Sequence, residues 1–386
     1  MIYIWKLTIR LGVLFFIVAI TQPGMVLAGS VDIPLKQWIA IEVPESGKGV
    51  FYGDSVENGM KHVTPAYSPL DGRIYFVGGD YSGPGGFYQS YRQETYSLSI
   101  AERFADKANR NAGWRLEYPY CGPSGSVQPK HPDFVGWAWD TKRNLFWLVP
   151  GVMEISVNNC PGETSTRTSD PGFILNHLMT FDPVTRKWTD RGSNIGASQD
   201  TWMSNYDPLT DTLIRIGFSG GSGAIASVYR ITKNVWTDYS LGLNAKGEVI
   251  RLYHEYAAID LEGRAVYGID GISGRLHRYR IDKHRIEDLG PVPGGAFGLG
   301  NKTHIAWDSI NKVLAWYDYE RRAFHIYHPD TRKWESNLPI ATDIAGVNAQ
   351  GRLLVFDPQQ NVYLLMGGTE SDIKPYFYIY RYGILR

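Results

Sequence analysis

The stretch FDPVTRKWTD, residues 181–190, returns as YHPDTRKWES at residues 327–336. Both copies place an aromatic residue, a short polar turn and a Trp at one spacing. Relatives of this joint lie between them. Trp188, Trp236, Ile286 and Trp334 are separated by 48, 50 and 48 residues, and Trp114 in NAGWRLEY is an earlier version. A fixed period of this length marks an array of supersecondary units.

A second landmark precedes the first within each unit. SPLDGRIYFVGG begins at Ser68, DTKRNLFWLVPG at Asp140, DPLTDTLIRIGF at Asp207 and DLEGRAVYGIDG at Asp260. DSINKVLAWYDY at Asp308 and DPQQNVYLLMGG at Asp357 complete the set. Asp or Ser followed by Gly, Asn or Asp between alternating strands specifies a hairpin. Each unit therefore holds four strands, the last carrying the large aromatic. A lone four-stranded sheet leaves both faces wet, whereas radial packing covers them. The Trp becomes the wedge between neighbouring sheets.

The last unit, from Gly346, lacks its outer strand, and LKQWIAIEVP at residues 35–44 supplies a matching one with Trp38. The expectation is an all-β, six-bladed propeller of four-stranded blades whose final blade is completed by the N-terminal strand. With 42 Gly, 25 Tyr and 12 Trp, the composition fits short aromatic strands joined by tight turns.

Residues 1–28 read as a secretory signal: Lys6 and Arg10 lead an apolar run at 11–20, and small residues end at Ala28. That leaves one domain, residues 29–386, expected to be secreted or periplasmic with no further membrane span. It carries 37 basic and 39 acidic residues, which offers phosphate backbones no long-range attraction and argues against a nucleic-acid partner. In an oxidising compartment Cys121 and Cys160 can form one disulfide.

The loops joining strands two and three share one face of a propeller with the passages between blades. Insertions at 79–94, 121–133 and 151–172 all fall on that face, and 101–111, with the pattern of a short helix, falls on the other. The insertions carry Tyr81, Tyr88, Tyr91, Asn158 and Asn159. Aromatic rings beside adaptable polar groups suit a glycan or a protein partner. The inner strands start at the same face and bring His62, Trp202, Arg251, Tyr253, His254, Lys302 and His304 toward the channel mouth. With Tyr81 these are the expected ligand contacts. His254 and His304, on neighbouring blades, are the better-placed pair for a metal, though no carboxylate accompanies them.

DGRIYFVGG and YLLMGG, with their spaced Trp residues, resemble the kelch repeat found in the propeller of galactose oxidase. Blades with GID or YDY depart from its usual Gly pair. RLYHEYAAIDLEGR, residues 251–264, is similar to the strand that gives that family a copper-binding Tyr and His, with Tyr253 and His254 in their places. VGGDYSG sets Tyr81 where the family stacks an aromatic over the metal. The rest of the copper pattern fails. Val63 occupies the cross-linked tyrosine's position, neither cysteine sits on an inner strand, and the family's other histidine comes from a domain after the propeller, whereas this sequence ends at Arg386. No cofactor is therefore expected. The resemblance itself says little of activity; the loop-rich face leads us to expect a monomeric binding module for a glycan or protein partner. The alternative is a carbohydrate-active enzyme, similar to the periplasmic sialic acid mutarotases, which use polar side chains and no cofactor. No hydrolase, zinc-protease or phosphate-loop motif is present.

Overall fold

In blades two to six the inner hairpin turns on the side chain that ends its first strand. Asp140 accepts the backbone N–H groups of Lys142 and Arg143 at 2.9 and 3.1 Å, and Asp308 those of Ile310 and Asn311 at 3.0 and 2.7 Å. Asp357 does the same for Gln359 and Gln360, Asp207 for Leu209, and Asp260 for Gly263. An Asp at the head of a tight turn mimics a backbone acceptor, which is why this letter recurs in all but the first unit. The turns close on a left-handed residue: Gly72, Asn144, Asp211, Arg264, Lys312 and Asn361. In blades four and five that position falls one residue beyond Gly263 and Asn311, on long cationic side chains. Each spans to the preceding blade, Arg264 to Asp207 and Lys312 to Glu262, so contacts offset the backbone cost.

The computed structural model describes residues 32–42, 64–77, 80–81, 90–91, 94–119, 135–150, 177–194, 196, 204–219, 223–242, 250, 252, 257–298, 303–318, 321–338, 340, 353–368 and 375–383. They form six four-stranded antiparallel sheets arranged as a six-bladed β-propeller. Blade one is Thr64–Ser68, Arg73–Val77, Thr95–Leu98 and Trp114–Tyr118. Blade two is Val135–Asp140, Leu145–Pro150, Met179–Asp182 and Lys187–Asp190. Blade three is Ser204–Asp207, Thr212–Ser219, Gly223–Arg230 and Val235–Ser240, and blade four is Ala257–Asp260, Ala265–Asp270, Arg275–Arg280 and Arg285–Pro291. Blade five follows as Thr303–Asp308, Val313–Asp318, Ala323–His328 and Lys333–Leu338.

Blade six has three strands of its own, Leu354–Asp357, Val362–Gly368 and Pro375–Tyr380, and takes Trp38–Glu42 as its fourth. The register runs from Trp38 opposite Tyr380 to Glu42 opposite Tyr376. Just before it, Leu35 bridges Arg381, and the Lys36 N–H donates to the Arg381 carbonyl at 2.8 Å. The ring is closed by the start of the described chain, as its sequence requires.

The repeated decamer is now explained. Phe181 lies directly opposite Trp188, and Tyr327 opposite Trp334, with ring centroids 5.1 and 5.0 Å apart. Tyr229 with Trp236 and Tyr380 with Trp38 repeat the pair. Facing aromatic pairs of this kind stabilise a sheet edge. They also wedge the blades apart at the correct angle. Six apolar clusters occupy the six blade junctions, and each contains or abuts one of these outer-strand residues. Trp188 joins the cluster shared with blade one, Trp236 that with blade two, Ile286 that with blade three and Trp334 that with blade four. Every wedge faces the preceding blade.

The connection between strands three and four of blade one holds a short helix, Ile100–Ala105, where the sequence suggests one. Ser99 caps it by accepting the Glu102 N–H at 3.2 Å. Gly113 packs across its start with φ near 79°, and a Cβ there would stand 2.4 Å from the Ser99 carbonyl oxygen, so only glycine fits. Residues 1–31, with the expected signal segment, lie outside the described residues. Among the described residues no helix is long and apolar enough to cross a membrane.

One turn aspartate has an unusual charge state. No ion pair reaches Asp357 among the described residues, and burial pushes its carboxyl up to about 7 against the pull of the Gln360 and Gln359 N–H bonds. A carboxyl raised in the fold stabilises fully below its ordinary value near 3.8, and that contribution is lost as pH rises through about 7. Asp357→Asn keeps the acceptor without the charge. It should therefore gain on wild type between pH 4 and pH 8, by several degrees in melting temperature. A melting difference that stays constant over that range would show Asp357 ionised throughout.

Candidate functional site

Aligned by the residues that end them, the six inner strands build the channel wall in layers. The positions directly before the turn residue are Tyr67, Trp139, Tyr206, Ile259, Trp307 and Phe356, five of them aromatic. One step deeper stand Ala66, Ala138, Asn205, Ala258, Ala306 and Val355. Small side chains at the second layer let six blades meet around an axis without filling it. Both layers line a cavity of about 380 Å³, which reaches out to the first turn residues, among them Pro69, Pro208 and Pro358.

Asn205 is the single polar member of the deeper layer, and no hydrogen-bond partner meets its Nδ2 among the described residues. The two tyrosines of the aromatic collar are already engaged. Tyr206 donates to Asp211 at 2.9 Å and Tyr67 to Gln359 at 3.4 Å. Burial, then the Asp211 hydrogen bond, pushes the Tyr206 phenol up, and burial followed by the Asp357 carboxylate does so for Tyr67. Both stay neutral donors. None of the described lining residues is a Lys, Arg, His, Asp or Glu. Such a wall can hold and orient an uncharged molecule.

Around the cavity the turns are tied blade to blade by charge. Arg143 of blade two donates to Asp211 of blade three at 2.7 and 2.8 Å while also binding Asp140. The Arg143 hydrogen bonds hold the Asp211 carboxyl down at about 2. On the other side Arg264 of blade four grips Asp207 of blade three in a fork, and Tyr363 of blade six donates to Asp308 of blade five at 2.8 Å. Bidentate Arg–carboxylate pairs fix geometry as well as energy. The cavity wall is thus held rigid from behind.

The loop-rich face is described only in part. The second-to-third connection of blade one extends as a two-stranded ribbon, with Asp80 opposite Tyr91 and Tyr81 opposite Ser90. Tyr81 is therefore placed on that face by its backbone. His62, Trp202, Arg251, Tyr253, His254 and Lys302 lie outside the described residues, as do Cys121 and Cys160 with their expected disulfide. His304 is described: it is the second residue of Thr303–Asp308, faces Tyr317 across the sheet and has 0% of its surface exposed. It does not line the cavity. Among the described residues no three His, Cys, Asp or Glu side chains converge as a metal site.

Two further histidines, His277 and His325, are buried on the third strands of blades four and five with both ring nitrogens unpartnered among the described residues. Desolvation pushes both imidazoles down, and His325 stacks on Trp316 at 4.9 Å. They are neutral core residues. Asn205 is the residue that sequence reading passed over, although the signal was there: in the turn alignment it stands where five blades carry Ala or Val.

No protein-family model matches the chain, and no curated protein matches it. Among solved structures, an auxiliary nutrient binding protein from Bacteroides thetaiotaomicron is similar over 89% of this chain and 76% of its own, at 9% identity and a TM-score of 0.49. The extracellular domain of a protein assigned as a one-component system in B. thetaiotaomicron is similar over 91% of this chain, at 13% identity and a TM-score of 0.46. This chain spans only 41% of that protein. A chain of the nidogen/laminin complex is similar over 73% of this chain and 81% of its own, at 10% identity and a TM-score of 0.43. Likenesses this distant say nothing of what this chain binds.

Proposed function

We propose that the chain is a kelch-type propeller acting as an extracytoplasmic binding module, which holds a glycan or protein partner on its loop-rich face. The observation that carries this reading is the two-stranded ribbon that mounts Tyr81 on that face of a six-bladed scaffold. The described channel wall, with no Lys, Arg, His, Asp or Glu, is also better suited to holding a ligand than to acid–base chemistry. The ribbon at Asp80–Tyr81 supports the choice of face, because loops mounted on a stiff scaffold are the usual seat of recognition. Tyr rings suit either kind of partner: they cover the apolar face of a sugar and anchor protein interfaces.

The test is a glycan-array screen of residues 29–386 beside a Tyr253→Ala/His254→Ala double variant. Glycan binding by the wild type that drops at least tenfold in the variant supports a sugar site at the loop-side mouth. A folded wild type that binds no glycan removes the sugar half of the proposal and leaves the protein partner. Loss of a partner captured through the blade one and two loops, on deleting residues 82–89, then decides that half.

A further inference from the structure

The cavity belongs to the opposite end of the channel from the loop-rich face. It reaches from Thr64, Ser204, Ala257 and Leu354, the first residues of their strands, to the turns that join first and second strands, with Pro69, Thr141, Pro208, Leu261, Ser309 and Pro358 at its rim. The loops invoked above spring from the other ends of those strands. From this geometry we infer that the turn-side half of the channel is a second, separate binding site, for an uncharged small molecule with a largely apolar ring and one polar group.

Size sets the first limit. About 380 Å³ lies at the small end of ligand cavities, enough for a molecule of two or three rings. Charge sets the second. With no Lys, Arg, His, Asp or Glu among the described lining residues, an ion would enter stripped of water and unpaired, which is strongly unfavourable. Hydrogen bonding sets the third. A free sugar carries a hydroxyl on almost every carbon, and each one buried without a partner weakens binding. The wall has few groups to give them: Tyr67 and Tyr206 are spent on Gln359 and Asp211, which leaves scattered Ser and Thr hydroxyls, Ser204 among them, and the indole N–H groups of Trp137 and Trp139. Asn205 is the one amide among the described lining residues, able to donate and accept, set in a layer of Ala and Val. Trp139 and Trp307 supply flat apolar surface at its mouth, each half-buried. Around the rim Leu70, Leu209 and Ile310 are 45, 74 and 42% exposed, an apolar apron that a ligand's approach would cover.

The experiment uses the neutral probe N-phenyl-1-naphthylamine, followed by its own fluorescence and by energy transfer from tryptophan. Wild type should bind it saturably, one per chain, with transfer from Trp139 and Trp307. Val355→Phe and Ala66→Phe fill the cavity from adjoining walls and should each weaken binding at least tenfold. Asn205→Leu keeps the volume, so it should leave the probe bound while abolishing preference for ring compounds bearing a carbonyl over their hydrocarbon counterparts. Tyr253→Ala/His254→Ala, on the other face, should change nothing, which separates this inference from the glycan proposal. Each variant is first checked for a cooperative melt; if one filling variant fails to fold, the other carries the test. Absence of saturable binding to wild type, or binding indifferent to a folded filling variant, overturns the inference.

Discussion

Ile41→Asp is expected to destabilise the protein by about 3–5 kcal/mol, among the largest effects a single substitution can have here. Ile41 is 4% exposed and sits opposite Phe377 in the strand that completes blade six. Its side chain enters the cluster joining blade six to blade one, with Ile74, Leu364 and Ile379. Burying an isoleucine is worth about 1.5–3 kcal/mol, and the replacement places an unpaired carboxylate in the same apolar space. The neighbouring Ala40 is exposed and pairs with Tyr378 through backbone alone. Ala40→Asp should therefore stay within about 0.5 kcal/mol of wild type. Urea denaturation of the two variants checks the claim. Equal midpoints would mean that this strand does not hold the ring shut.

The second large effect is at Arg73→Met, expected to cost about 3–5 kcal/mol. Arg73 is 1% exposed on the second strand of blade one, where an apolar residue would be the ordinary choice. Its Nε donates to Ser97 Oγ at 2.7 Å, and its other nitrogens reach Glu102 at 2.9 Å and the carbonyl of Gly113. The buried Glu117 lies 3.8 Å from it and is also held by Arg186 at 3.0 Å and by Ser97. Removing the guanidinium strands Glu117 with a single half-exposed cation and leaves the helix's Glu102 to the exposed Arg115 alone. Glu117→Gln should then recover part of the loss in the double variant, because the stranded charge is what hurts. Strictly additive losses in that cycle would assign the whole effect to packing.

Much of the ring could be read from the chain before any geometry. The turn aspartates and outer-strand aromatics are letters that physics ties to one place each, a turn head and a blade junction. Trp38, isolated near the start of the sequence, could be matched to blade six because every other blade already had its wedge. The left-handed turn residues were less legible: Gly263 and Asn311 look like the obvious choices, yet Arg264 and Lys312 take the position because the fourth residue after the turn head adopts it in every blade. The functional surface was legible in one respect only. Loop length marks a face, but residue type along an inner strand does not say which side chains border the axis. His304 is a case in point. Its place at a strand start suggests a channel-mouth ligand, whereas the strand's alternation turns it into the sheet stack. Asn205 shows the converse, being conspicuous only after six inner strands are laid side by side.

The clasp between the two ends of the chain also bears on how the molecule is made. Arg381 Nη1 meets the Ile33 carbonyl across 348 residues of sequence. Of the described strands, the one made earliest thus waits for partners made latest. Contacts so distant along the chain form late and slowly, because loop closure comes before any reward. Until then the Pro375–Tyr380 edge stays open, and an open strand edge invites pairing with another chain. Moving residues 32–42 behind residue 383 through a short linker would turn the slowest contact of this fold into a local one.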